Sequence, residues 1–173
     1  LLTVGMALNG FSHFAALDFL DKAGISTDLV RTIPMSGDKT RIVSSIQGAL
    51  TLVPTAVGAA APYVDSGDLT SVAILSKEPD LRLASAKTAI DQGVNSEFAM
   101  SFVTYAPKDT PKEVVKILAD AWAEAAKDPA CAKLLAKQSM VPTVEGGAEL
   151  DKILAARTEN IERLAKKFKL TSK

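Results

Sequence analysis

Cysteine, histidine and aromatic residues are scarce in this chain: one Cys, one His and 5% Phe, Trp and Tyr in 173 residues. The single thiol, Cys131, allows neither a disulfide within the chain nor a cysteine-based metal cluster. His13 has no second imidazole with which to share a metal, and no metal role is expected of it. Few aromatics means little surface on which single-stranded nucleic acid can stack. Net charge is lacking too, with 20 Lys plus Arg against 20 Asp plus Glu. A neutral chain does not supply the basic field of nonspecific nucleic-acid binding, so any attraction for a charged ligand must be local. There is no initiator Met and no signal peptide: Leu1-Leu2-Thr3 reads as already inside a strand, the start of a fragment or of a processed chain. The long uncharged stretch 42–64 is broken by Gly48, Pro54, Gly58 and Pro62, which suits a buried strand between helices better than a membrane span.

What the chain does have is apolar mass, 47% of its residues, in a pattern of short strands and helices. Leu2–Met6 predicts a buried strand, and the following helix near Ser12–Ala23 closes at Gly24. Leu29–Ile33 is a second strand, feeding a helix through Arg41, Val43 and Ile46 to Gly48. Leu50–Val53 is a third, followed by an Ala-rich helix from Pro54-Thr55 to Asp65, and Leu69–Leu75 a fourth. Strands alternating with helices imply crossovers, hence an α/β fold with three layers around a mostly parallel sheet. Continuous apolar runs fit strands buried on both faces. Beyond a charged loop over Ser76–Leu83, Ala86–Gln92 reads as a short helix and Phe98–Tyr105 as a further strand. Thr110-Pro111-Lys112-Glu113 has the form of a capping box, opening a helix whose stripe of Val114, Val115, Leu118 and Trp122 is expected in a core. Asp128-Pro129 restarts a helix, Met140–Thr143 reads as extended, and a long amphipathic helix runs from Glu149 to about Lys169. Lys166, Lys167, Lys169 and Lys173 suit that helix's C-terminal end.

In a parallel sheet the turns after the first three strands, at Asn9, Ser36 and Thr55, must gather at the strands' carboxyl edge, where α/β proteins bind ligands. Helix-start amides there favour an anion. Ser12 is read first as a helix N-cap and second as a ligand donor, and Thr55 likewise. Ser12 and His13 are neighbours on a helix and point to different sides, so a nucleophile–base couple is not predicted and no residue is assigned a catalytic role. His13 is read as capping, packing or hydrogen bonding in the cleft. Ser36-Gly37-Asp38-Lys39-Thr40 lacks phosphate-loop spacing, and no cofactor is implied. There, Asp38 or Ser36 can cap the helix, or Gly37 can let backbone amides approach a ligand; Asp38 would repel a carboxylate, so Lys39 or the amides must prevail.

The order of these motifs is familiar. VGMALNGFSHFAAL resembles the strand, glycine turn and Ser-x-x-His-x-Ala helix of the tripartite tricarboxylate transporter solute receptors, the TctC/Bug family. VRTIPMSGDKTRIVSSIQGAL is similar to that family's HVPYKG segment, with Ile33-Pro34 and Gly37 in place. YVDSGDLTSVAILSKEPD and the stretch from FAMSFVTYAPKDTP to VPTVEGG resemble its later segments, so the likeness runs across nearly the whole chain. It implies a type II periplasmic-binding-protein-like fold in which residues 1–100 are the second ligand-binding lobe. Residues 101–173 would then be a returning strand and C-terminal helices that join a first lobe encoded before Leu1. It further implies a periplasmic, non-enzymatic receptor that binds a small organic acid and delivers it to membrane transporter subunits. By motif position, Asn9, Gly10, Phe11, Ser12, Ser36, Gly37 and Thr55 would contact the acid, neutralising it by amides and hydroxyls without a buried Arg. Three positions depart from the family pattern: Met35-Ser36-Gly37 stands for Tyr-Lys-Gly, Val53-Pro54-Thr55 for Asp-Asn, and Ser101-Phe102-Val103 for Trp-Phe-Gly. The pocket is less polar for it, so an aromatic or longer aliphatic acid suits it as well as a dicarboxylate. Two other readings stay open: an effector-binding domain of a transcription regulator, which upstream DNA-binding helices would reveal, and a small hydrolase using Ser12 and His13, which turnover would reveal.

Overall fold

The computed structural model describes residues 1–137, 140 and 144–170. Two strands, β1 (Leu2–Met6) and β2 (Val30–Pro34), alternate with helices α1 (Phe11–Lys22), α2 (Asp38–Ile46) and α3 (Val57–Asp65). Then follow α4 (Lys112–Lys127), α5 (Pro129–Lys137) and α6 (Gly147–Lys167). The chain forms two compact units: Leu1–Met100 with the terminal segment from Leu164, and Ser101–Arg163.

In the first unit β1 and β2 pair in parallel, Leu2 opposite Val30 through Met6 opposite Pro34. A third segment joins β1 from the other side at one parallel bridge, Val4 to Leu52, with the Gly5 amide donating to the Leu52 carbonyl at 3.3 Å. A Cβ at Gly5 would lie 2.5 Å from Leu50 Cδ1, so any side chain there would require Leu50 to move. Val4, Met6 and Ala16 form the core under the sheet, with Leu2, Val30 and Leu52 against it. A second cluster of Ala61, Ile74, Leu83 and Ala86 lies between α3 and the loops that follow. α1 ends as its sequence predicts. Gly24 takes the left-handed φ of 71°, and the Ile25 amide reaches back to the Leu20 carbonyl at 2.9 Å.

Several expected elements are shorter than their apolar runs. The third strand is the single bridge at Leu52, cut off by Pro54, which has no amide to extend a ladder. The fourth is a single bridge between Ile74 and Thr88. Residues 99–105 form no strand; Phe98 donates its amide to Leu75 at 2.9 Å, and Phe102 and Tyr105 are each 78% exposed. A run of strand-formers becomes a strand only where a neighbour offers a free edge. Burial on both faces holds for the end of β1, where Val4, Gly5 and Met6 are buried, but not for β2, whose Arg31 and Thr32 are exposed. The predicted Ala86–Gln92 helix reduces to a 3-10 turn over Ile90–Gln92, closed by Gly93.

In the second unit α4 starts one residue later than a capping box requires. The Pro111 carbonyl receives the Val114 and Val115 amides, so Pro111 itself is the N-cap. With Pro111 as the cap, the third helical residue is Val114, which carries no acceptor, and the cap has no N–H, so the reciprocal box does not form there. α5 is opened as expected by Asp128, whose Oδ1 accepts the Ala130 amide at 2.7 Å. Trp122, expected in a core, is 55% exposed, and Val114, Val115 and Leu118 on its stripe are exposed too. The stripe is apolar because of its spacing, but among the described residues no layer covers it. The extended reading for Met140–Thr143 and the Lys173 side chain fall outside the described residues, save for Met140.

Candidate functional site

The first turn follows β1 and is held by its own backbone. Asn9 adopts a left-handed φ of 58°, which Asn tolerates better than most residues. Gly10 donates to the Ala7 carbonyl at 3.0 Å and is the N-cap of α1. Ser12 is therefore inside the helix and is not its cap. Its Oγ accepts the Ala7 amide at 3.0 Å, latching the helix start to the strand end and leaving the hydroxyl hydrogen to donate elsewhere. His13 accepts the Asn9 amide on Nδ1 at 3.0 Å. The amides of Phe11 and Ser12, in the first turn of α1, have no acceptor among the described residues; these are the orphan donors of a helix start. The Phe11 ring packs on buried Phe98, with centroids 5.1 Å apart and planes tilted by 54°.

The second turn is fastened to the first by the Met35 amide, which donates to the Met6 carbonyl at 3.0 Å. Gly37, with φ 83°, is the N-cap of α2; neither Asp38 nor Ser36 caps it. Ser36 and Gly37 are exposed. Asp38 looks elsewhere: it pairs with Arg41, and its Oδ2 accepts the Ala56 amide at 3.2 Å. Ala56 is the N-cap of α3, so the third turn is tied to the second through this carboxylate. Thr55, just before it, is not a cap. Its Oγ1 is buried and has no hydrogen-bond partner among the described residues. The three turns thus share one edge, at the ends of β1, β2 and the Leu52 segment.

A family profile described as "Tripartite tricarboxylate transporter family receptor" matches residues 6–170. The chain belongs to that family. Solved structures agree on the fold of this TctC receptor chain. A TctC solute binding protein from Polaromonas, without ligand, superposes with a TM-score of 0.84 at 20% identity, over 96% of this chain and 57% of that one. A Rhodopseudomonas palustris protein with adipate gives 0.69 at 22% identity, over 95% and 55%. MatC from the same organism, with bound malate, gives 0.64 at 21%, over 95% and 56%. The TctC chain here therefore spans little more than half the length of the structures it matches. Among curated proteins nothing matches it.

Seen as a TctC receptor chain, the molecule holds one residue that sequence reading passed over. Arg41 is 4% exposed and sits beneath the second turn, its Nη1 donating to the Met35 carbonyl at 3.1 Å. Its bonds go to Met35 and Asp38, both within the chain. The signal was present in the i, i+3 spacing of Asp38 and Arg41 in a first helical turn, which brings the two side chains together. Two cavities of the first unit take in none of the seven predicted site residues. One, of about 180 Å³, is lined by Met6, His13, Leu17, Leu20 and Phe168 among others, and the second lies at Asp21–Thr27 and Lys167. Of the seven, Asn9, Ser36 and Gly37 are exposed, and Gly10, Phe11, Ser12 and Thr55 are half-buried. Among the described residues no three His, Cys, Asp or Glu side chains cluster to hold a metal, and no helix is long and apolar enough to cross a membrane.

His13 is 6% exposed, and burial holds its pKa below the ordinary value of 6.5. The Asn9 amide on Nδ1 demands the neutral ring, since a protonated Nδ1 cannot accept. The unfolded chain takes up the proton more readily than the folded one, so the imidazole's contribution is complete above pH 6.5 and is lost as pH falls through the folded value. Thermal melts from pH 8 to 5 should therefore show a fall in Tm below about pH 6.5 that is absent in His13→Gln. Parallel curves for the two proteins would refute it.

Proposed function

We propose that this chain carries one lobe's share of the ligand site of an extracytoplasmic solute receptor, and that its ligand is a small organic carboxylate. Residues 1–100 supply the binding edge, and 101–173 are the returning segment and helices that join a companion lobe. Asn9, Gly10, Phe11, Ser12, Ser36, Gly37 and Thr55 are the contacts. The observation that carries this reading is the linkage of the three turns. Met35 bonds Met6, Ala56 bonds Asp38, and Arg41 links Met35 to Asp38, while the unused Phe11 and Ser12 amides stand at the start of α1. Such donors neutralise a carboxylate without a mobile counter-charge. The adipate and malate named for two structural relatives are acids of the same class. Closure against the companion lobe would exclude water from the acid, and the loaded receptor would hand it to membrane transporter subunits.

The reading is non-enzymatic. Ser12 and His13 each give a lone pair to a turn amide, of Ala7 and Asn9, which supports a structural use of both groups and leaves no aligned nucleophile–base couple. Titrating the 173-residue chain with adipate and with malate, read by backbone amide NMR, tests the proposal. One lobe's contacts should give a Kd of about 1 mM, far weaker than a closed receptor. The shifted amides should be Phe11, Ser12, Gly37 and Ala56. No response to either acid, or a response confined to α4 and α5, would overturn the assignment.

A further inference from the structure

We infer that the Arg41–Asp38 pair is a positioning clamp that sets the spacing of the second and third turns; its value for binding rests on the receptor reading above. Arg41 is buried one turn into α2, and a guanidinium is a rigid fork whose two ends can bond two groups at once. One end donates to the Met35 carbonyl, ahead of Ser36-Gly37, and the other pairs with Asp38 Oδ1. The second carboxylate oxygen takes the Ala56 amide at 3.2 Å, 18 positions further on and directly after Thr55. One guanidinium and one carboxylate thus connect the backbone before Gly37 to the backbone after Thr55. The same contacts turn Asp38 from a repulsive charge at an anion site into a neutralised bridge. Arg41 Nε and Thr55 Oγ1 are buried and, among the described residues, have no hydrogen-bond partner. The clamp positions the turns; it is not itself a contact to the acid.

The two possible roles of Asp38 predict opposite signs. If its charge merely repels anions, Asp38→Ala binds adipate more tightly than the wild type. As a clamp, Asp38→Ala should bind about fivefold more weakly, and the Ala56 amide should exchange with solvent about tenfold faster. The Met35 amide, bonded to Met6 and independent of the carboxylate, should keep its protection within about threefold. Asp38→Asn retains an oxygen for Ala56 and should fall between the wild type and Asp38→Ala in both measurements. If Asp38→Ala loses Met35 protection as well, it has unfolded, and Asp38→Asn with Arg41→Lys decide by the same two readouts. Unchanged Ala56 exchange, or tighter adipate binding, would sink the clamp. A wild type that answers neither adipate nor malate would instead defeat the receptor reading, while the Ala56 exchange would still decide whether the clamp exists.

Discussion

Met6→Ala is expected to cost about 3 kcal/mol of folding free energy, within the range for emptying a fully buried Met or Leu site. Met6 is 0% exposed and ends β1, where its side chain meets Val4 and Ala16 and its carbonyl receives the Met35 amide. Truncation removes the contacts on one side of that core and leaves neighbours in β1 that cannot close in, because the β1–β2 register is fixed by five paired positions. The cavity lined by Met6, His13, Leu17 and Leu20 would enlarge. Urea unfolding followed by circular dichroism, with amide exchange of Val4 and Gly5 to isolate the first unit, measures it. Leu81→Ala, at a site 93% exposed, is the control and should stay within about 0.5 kcal/mol of the wild type. A loss below about 1 kcal/mol at Met6 would mean that β1 is not the centre of this core.

Asp18→Ala should be nearly as damaging, at about 2 to 3 kcal/mol. Asp18 is 0% exposed on α1, and its Oδ2 accepts the Ser96 hydroxyl at 2.7 Å and the Lys22 ammonium at 3.1 Å. Ser96, also 0% exposed, arrives from 78 positions away, so this bond pins the segment before Phe98 to α1. Removing the carboxylate strands a buried hydroxyl, whereas Lys22, with 32% of its side chain exposed, can turn to water. The penalty should therefore come from Ser96. Asp18→Asn keeps an acceptor for it and should lose less than half as much. Equal losses in the two variants would show that the Lys22 charge pair dominates.

The two kinds of error made from the sequence have different physical origins. Features decided within a few residues were legible: the left-handed closure at Gly24, Asp128 opening α5, the polar turns after β1 and β2, and the parallel pairing those crossovers demand. Features decided by a partner far along the chain were not. Leu50–Val53 and Leu69–Leu75 have strand composition, but each found one bridge, because a ladder's length depends on both strands. Ser12 and Thr55 have the residue type of caps, and each was displaced by the next structural choice: Gly10 capped α1, and Ala56 capped α3. Trp122 has the spacing of a core residue, but spacing states which face is apolar and not what covers it. At the candidate site, the gathering of three turns on one edge followed from topology and the Asp38–Arg41 pair from its i, i+3 spacing, whereas the bond from Ala56 to Asp38, 18 positions apart, did not.

Gly5 and Leu50 leave a mark on which sequences this fold can accept. Where β1 meets the Leu52 segment there is room for one branched side chain, and Leu50 occupies it. A methyl gained at position 5 is tolerable in a lineage that has already shortened position 50. An added Cβ at Gly146, by contrast, meets nothing among the described residues within 4 Å. Substitutions along β1 are thus constrained as a pair across the strand boundary, 45 positions apart, and an ancestor of this chain could change one member safely only after the other.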